Sequence, residues 1–308
     1  MSECVVYDAV MGRWLFASAL LCACHARLGD PQHHDQISDG STQGGGDGGG
    51  SASIDAPEQL GPWGTPMKVD GASDATNNED DPTLSANGLE LYYAVQVPAG
   101  DKNLYRMTRA TRNDPFANPT ALTAFNTANT DEGPRLSYDD LTIYFGQNGD
   151  IYQATRTAID QPFGAISKVP GVDTAAYEKW LAVCGDGMHF LVSRDNGATG
   201  QDLFQGVLGQ GAGTRIDELS SAASEISTFV SKDCLTAMFA SNRVAGSIEI
   251  YISTRTAIDQ PWGTPALALA PFATGIDNED AGYTPDDHLF VFAANPDATT
   301  KDIYLSTR

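Results

Sequence analysis

Between residue 58 and the end of this 308-residue chain, one set of short segments recurs five times. A period of about 50 residues marks a propeller, solenoid or array. The first segment ends in a turn carrying Asn or Asp: LSANG (84–88), LSYDD (136–140), VCGDG (183–187), VSKDC (230–234) and YTPDD (283–287). Its fourth residues, Asn87, Asp139, Asp186, Asp233 and Asp286, are spaced by 52, 47, 47 and 53 residues. A short apolar strand follows each turn. A third segment reads NLYRMTR (103–109), DIYQATR (150–156), DLFQGVL (202–208), EIYISTR (249–255) and DIYLSTR (302–308). A fourth, a Pro-aromatic pair leading into another strand, appears as PFANP (115–119), PFG (162–164) and PWGTP (261–265). The stretches 155–164 and 254–263 differ at one position in ten, so the repetition is not accidental.

Four strand-like segments in each of five units predict an all-β fold, a five-bladed β-propeller of four-stranded blades over residues 58–308. The fifth unit stops after its third segment, at Arg308, while an unused fourth segment, PWGTPMKV (62–69), precedes the first unit. Trp63 to Val69 is therefore expected to pair with Ile303 to Thr307 and complete the last blade, which leaves no open sheet edge. Composition agrees: 31 glycines and only 19% charged residues suit a chain of turns and short strands.

The run P-x-L-S-x-D, then L-x-Y-F, then D-I-Y-x-x-T-R resembles the WD-repeat-like propeller repeat of TolB-type periplasmic proteins. The match is strongest in units two, four and five; unit three lacks the terminal Thr-Arg and the Pro-aromatic pair. The resemblance implies a rigid disc for binding in the bacterial envelope. It passes on no catalytic residue and no specific ligand.

Ahead of the repeat, residues 1–10 carry Glu3 and Asp8 and no basic residue, the wrong charge for the front of an export signal. Met11 makes a better start, with Arg13 and then an apolar run of eight residues from Trp14 to Leu21. Eight residues are too few to span a bilayer core of about 30 Å. Leu21-Cys22-Ala23-Cys24 resembles a bacterial lipobox, which implies a signal peptide over 1–24 and a diacylated Cys24; two acyl chains are enough for a stable anchor. Residues 25–57, Gly-rich and without apolar periodicity, are expected to form a disordered tether. His33 and His34 within it have no other ligand type at useful spacing. The expected location is the cell envelope, facing periplasm or cell surface, with the membrane reached through the lipid alone.

Asp and Glu number 40 against 18 Lys and Arg, a formal charge of −22 that excludes a nucleic-acid partner. Neither G-x-S-x-G, HExxH nor a CxxC pair occurs, and the repeat holds only His189 and His288, at non-equivalent positions. No catalytic residue and no metal ligand is assigned.

The carboxylates are more informative. Five residues before the first residue of each turn segment stand Glu79, Asp131, Glu178, Glu225 and Asn278, with Asp80, Glu132 and Glu279 beside them. The first strand of a propeller blade lines the central channel, so these acids are expected to gather at one mouth. There they could hold Ca²⁺ or a cationic ligand, or serve as an acid and base pair on a glycan. Packing would also fix an acid at a repeat position, each one capping backbone N–H groups or pairing through Arg109, Arg156, Arg255 or Arg308, and this structural reading is preferred. Trp180 is read as core, the alternative being a stacking surface beside Glu178. Tyr105, Tyr152, Phe204, Tyr251 and Tyr304 are expected between blades, and Trp63, Phe116, Phe163 and Trp262 over the outer strands.

Cys184 and Cys234 occupy the turn segment of consecutive units. A disulfide between them is one reading. Two free, mostly buried thiols is the preferred one, since equivalent turns of adjacent blades can lie beyond the Cα separation of about 7 Å that a bridge allows. Taken together, the sequence describes a non-catalytic envelope protein presenting a propeller disc to a protein or glycan, without a cofactor unless the acids take Ca²⁺. The alternative is a glycan-active hydrolase using carboxylates at the channel mouth. Acids repeated in register favour the binder over an asymmetric active site.

Overall fold

Each repeat unit folds into one antiparallel four-stranded sheet because its apolar segments alternate with Asx turns that reverse the chain every few residues. The structure is a computed structural model and describes residues 60–308 except 73–75, 97–100, 199, 245, 269–275 and 297–299. The signal peptide, Cys24, the tether and its histidines lie outside the described residues.

Strand β1 (Met67–Lys68) precedes the first complete blade, which holds β2 (Asn78–Leu84), β3 (Glu90–Gln96), β4 (Lys102–Thr108) and β5 (Ala117–Ala121). The second blade holds β6 (Asp131–Leu136), β7 (Thr142–Gln147), β8 (Asp150–Thr155) and β9 (Ser167–Lys168). The third holds β10 (Glu178–Val183), β11 (His189–Asp195), β12 (Gln201–Val207) and β13 (Thr214–Arg215). The fourth holds β14 (Glu225–Val230), β15 (Thr236–Ser241), β16 (Glu249–Thr254) and β17 (Ala266–Leu267). In the fifth, β18 (Asp277–Tyr283), β19 (Leu289–Asn295) and β20 (Asp302–Thr307) are completed by β1.

The closure expected from the sequence is present. Met67 pairs with Leu305 and Lys68 with Tyr304, while the Gly64 and Val69 amides donate to Thr307 and Ile303 carbonyls at 2.8 Å each. The inner strands β2, β6, β10, β14 and β18 contact one another in a closed ring. Five apolar clusters each bridge two neighbouring blades, so the core is divided among the blade interfaces.

Two recurring devices explain the conserved spacing of the repeat. In the turn segment, the fourth residue accepts the backbone amide two positions on, as at Leu89 (2.9 Å), Leu141 (3.0 Å) and Leu235 (3.0 Å). The residue between takes positive φ, filled by Gly88 and Gly187 but also by Asp140, Cys234 and Asp287. In the third segment, the terminal arginine stacks on the Pro-aromatic residue: Arg109 on Phe116, Arg156 on Phe163, Arg255 on Trp262 and Arg308 on Trp63, at 4.1–4.7 Å from the ring centre. Each of these arginines also donates through Nε to a turn carbonyl, at 2.6–2.9 Å. Blade three, which lacks both residues, still forms its outer strand, and there Arg215 bonds Asp202 at 2.6 Å.

Cys184 and Cys234 form a disulfide with Cα atoms 5.3 Å apart. This corrects the preference for free thiols: the two turns follow neighbouring inner strands, where blades converge, and the Gly185 amide already bonds the Lys232 carbonyl across them at 2.8 Å. Both cysteines are buried. The bridge closes a loop of 50 residues, and replacing both by Ser is expected to lower stability by about 4 kcal/mol in the chain-entropy model. Urea unfolding checks this, and an unchanged midpoint would contradict it.

Candidate functional site

Strict alternation would let every second residue of an inner strand face the channel. The strands depart from it in the same place in every blade. Register shifts fall between Asp80 and Thr83, Glu132 and Arg135, Lys179 and Ala182, Ile226 and Phe229, and Glu279 and Gly282. Within each bulge one residue has positive φ: Asp81, Gly133, Trp180, Ser227 and Asp280. Pro82 and Pro134 sit beside the bulge, where a strand tolerates a missing N–H. A tryptophan at φ 51° is an unusual conformation for a bulky residue, held here by its surroundings. A Cβ on Gly133 would lie 3.0 Å from Trp180 Cδ1, tight enough to push the indole aside, and its positive φ of 61° also favours glycine.

The bulge decides which acids meet. Asp131, Glu178 and Glu225 are fully buried and fasten the loop entering their own strand. Asp131 accepts the Thr127 amide at 2.6 Å and Gln147 Nε2 at 2.7 Å. Glu178 accepts Thr174 Oγ1 and, at 2.8 Å, Arg194 Nε. Glu225 accepts the Ser221 amide at 2.9 Å and Ser241 Oγ at 3.1 Å. In these three blades the partners stand four residues before and sixteen after the acid. Glu79 is buried at the equivalent position. Asp131, Glu178 and Glu225 therefore serve their own blades rather than a shared cluster, and the partners described for them do not include Arg109, Arg156, Arg255 or Arg308; Arg156 pairs with Glu90 at 2.9 Å.

The residues one and two positions further on do converge. Lys102 Nζ lies 2.7 Å from Asp80, 3.5 Å from Asp81 and 3.4 Å from Glu132. Lys179 Nζ lies 2.7 Å from Glu132, which also accepts Tyr177 OH at 2.6 Å. Lys301 pairs with Glu279 and reaches Asp80 at 3.5 Å. Beneath them the Trp180 indole and the Gly133 amide donate to Asp81, and the Asp81 amide donates to Asp280. Trp180 is thus a buried plug with Lys179 Nζ 4.8 Å above its ring, not a free stacking surface. Of the residues named from the sequence, Asp80, Glu132, Glu279 and Trp180 belong to this mouth. Asp81, Asp280, Lys102, Lys179 and Lys301 were not singled out, although proline or glycine inside a strand-like segment was a usable bulge signal.

Burial and close charges set the proton states. Burial and the Asp81 charge push Asp80 up to about 6 against Lys102 and Lys301. Burial, with Asp81 and Glu279, pushes Asp280 well up. For Asp81, burial is outweighed by Lys102, the indole and Asp280, which hold it below the usual carboxylate range. The pair thus carries one proton on Asp280 and a charge on Asp81. Asp80 and Asp140, both raised to about 6 from 3.8, bind protons in the native state that the unfolded chain has released. Their stabilisation is complete below about pH 4 and lost as pH rises through about 6. The urea midpoint is expected to be higher at pH 5 than at pH 8, with a smaller difference in Asp80→Asn; a midpoint that rises over that range would contradict this.

Asp150, Asp173 and Glu178 also bring ligand atoms within 4.8 Å of one another. Lys168 lies 2.6 Å from Asp150 and 3.4 Å from Asp173, and Arg194 holds Glu178, so cations of the protein already serve all three.

No family model matches the chain. No curated protein matches it either. Solved structures do. The α-L-arabinofuranosidase of Podospora anserina in complex with cellotriose is 17% identical, with a TM-score of 0.53 over 80% of this chain and 94% of that one. An endo-arabinase from Bacteroides thetaiotaomicron is 10% identical, with a TM-score of 0.54 over 79% and 96%. A protein assigned as TolB from Agrobacterium tumefaciens is 15% identical, with a TM-score of 0.48 over 75% and 76%. At such identities the likeness extends to the fold alone, and the chain is a five-bladed β-propeller.

Proposed function

We propose that this chain is a non-catalytic binding protein of the bacterial cell envelope, anchored by lipid on Cys24 and presenting the propeller to a protein or glycan partner. One observation carries the choice of binder over enzyme: the mouth carboxylates are sealed. The side chains of Asp80, Asp81, Glu132 and Glu279 are 1–7% exposed beneath Lys102, Lys179 and Lys301. A sugar could not reach them unless three ion-paired lysines moved, and a general acid must touch the oxygen it protonates. The lysines also stand where a Ca²⁺ would sit, so the proposal includes no ion.

The anchor is tested by fractionation. Cys24→Ser is expected to leave soluble protein or uncleaved precursor, and an unchanged membrane fraction would sink the anchor.

A second reading has one observation in its favour. Burial raises the buried Asp280 while Lys102 and the indole hold Asp81 down, which drives two neighbouring carboxyls apart in acidity as an acid and base pair requires, and two of the similar folds are named as an α-L-arabinofuranosidase and an endo-arabinase. Turnover of an aryl α-L-arabinofuranoside by the Cys24→Ser chain, lost in Asp280→Asn, would establish it.

A further inference from the structure

We propose that the far half of the central channel is a binding site for a small carboxylate, with Arg135 as its counter-charge. Past the bulge, Arg135 crosses the channel from blade two. Its Nε donates to the Thr228 carbonyl of blade four at 3.1 Å, and its Nη1 to the carbonyls of Pro134 at 3.0 Å and Pro82 at 3.3 Å. Arg135 is only 5% exposed. All its hydrogen bonds among the described residues go to backbone carbonyls, no carboxylate lies within ion-pair distance, and Nη2 is buried without a partner. Asp280 and Asp81 act on Arg135 only from beyond ion-pair contact, and burial still outweighs them; a buried guanidinium without a contacting counter-ion or full hydrogen bonding is costly, and an anion is what relieves it.

Space for that anion is present. Arg135 forms part of the wall of a cavity of about 50 Å³, room for a group of a few heavy atoms where one water needs roughly 10–15 Å³. The rest of the wall is largely apolar, with Phe229, Tyr283 and Val183 prominent. At Arg135's own level blades one, three and five supply Thr83, Ala182 and Gly282, whose small size leaves the opening, while blade four supplies Phe229, whose ring packs against Gly282 and narrows it. The one carboxyl on the described wall, Asp140, has its oxygens engaged by the Ala86 amide at 2.9 and 3.0 Å. One charged donor at the floor and apolar sides fit a monocarboxylate with a short hydrocarbon body better than a phosphate, which needs several donors. The acid could be a free small molecule or the C-terminal carboxylate of a polypeptide, and both offer the same group.

The test is calorimetric titration of the full Cys24→Ser chain with acetate, propionate, propionamide, and an alanine-terminated tetrapeptide as free acid and as amide. A carboxylate is expected to bind with a Kd of about 1 mM or tighter and at least about tenfold more tightly than its amide. Arg135→Gln is expected to lose that preference. Ala182→Val, which narrows the cavity without touching a charge, is expected to weaken binding and covers the case where the arginine variant does not fold. Binding of the small acids assigns a free ligand; binding of the peptide acid alone assigns a chain end. Equal affinity for acid and amide, or no binding of any acid by the folded protein, would overturn the proposal.

Discussion

Deletion of residues 58–69 is expected to abolish the single cooperative unfolding transition of the propeller and leave a protein that aggregates. These residues supply the outer strand of blade five through the Met67–Leu305 and Lys68–Tyr304 pairs. Trp63 packs 5.2 Å from Phe290, lies under Arg308 at 4.1 Å, and Ser306 Oγ donates to the Gly64 carbonyl at 2.7 Å. Each backbone bond contributes about 1 kcal/mol net and burial of an aromatic about 2 kcal/mol more, a large share of a total stability near 5–15 kcal/mol. The strand of Ile303 to Thr307 would also be left as an open edge, a template for pairing between chains. Trp63→Ala alone should cost about 2 kcal/mol. Thermal unfolding with light scattering reads both, and an unchanged transition in the deletion would contradict the closure.

Replacing Lys102 by Met is expected to be the most damaging single change at the channel mouth. Lys102 is 15% exposed at its side chain and serves Asp80, Asp81 and Glu132. Removing one partner of a buried ion pair typically costs about 3–5 kcal/mol, because the remaining charges stay buried. For a domain of this size that lowers the midpoint by roughly 10 °C. Lys102→Arg keeps the charge and should recover most of the loss. A Lys102→Met midpoint within about 2 °C of the parent would show that the network does not hold the mouth together.

The ring was legible in the sequence because it rests on local chemistry that repeats. The unused PWGTPMKV segment and the truncated fifth unit complement each other, and the closed blade follows. The arginines of the third segment and the Pro-aromatic residues were both visible as repeats, but their stacking was not, because the two lie on neighbouring segments whose approach is set only by the folded sheet. Of the acids at the mouth, Asp80, Glu132 and Glu279 were legible as neighbours of the repeat position and Asp81 and Asp280 were not, for a definite reason. A bulge in each inner strand turns Asp80, Asp81, Glu132, Glu279 and Asp280 toward the channel cluster, while Asp131, Glu178 and Glu225 are kept for the loops. Arg135 carried no signal at all, since no other blade has a basic residue at its position.

The central claim is that the propeller binds without turning over its partner, and one measurement meets it directly. The soluble Cys24→Ser chain is mixed with isolated envelope fragments, and both the protein that sediments with them and the sugar released from them are measured. Saturable sedimentation with no released sugar is the expected result; release of sugar that disappears in Asp280→Asn would contradict it.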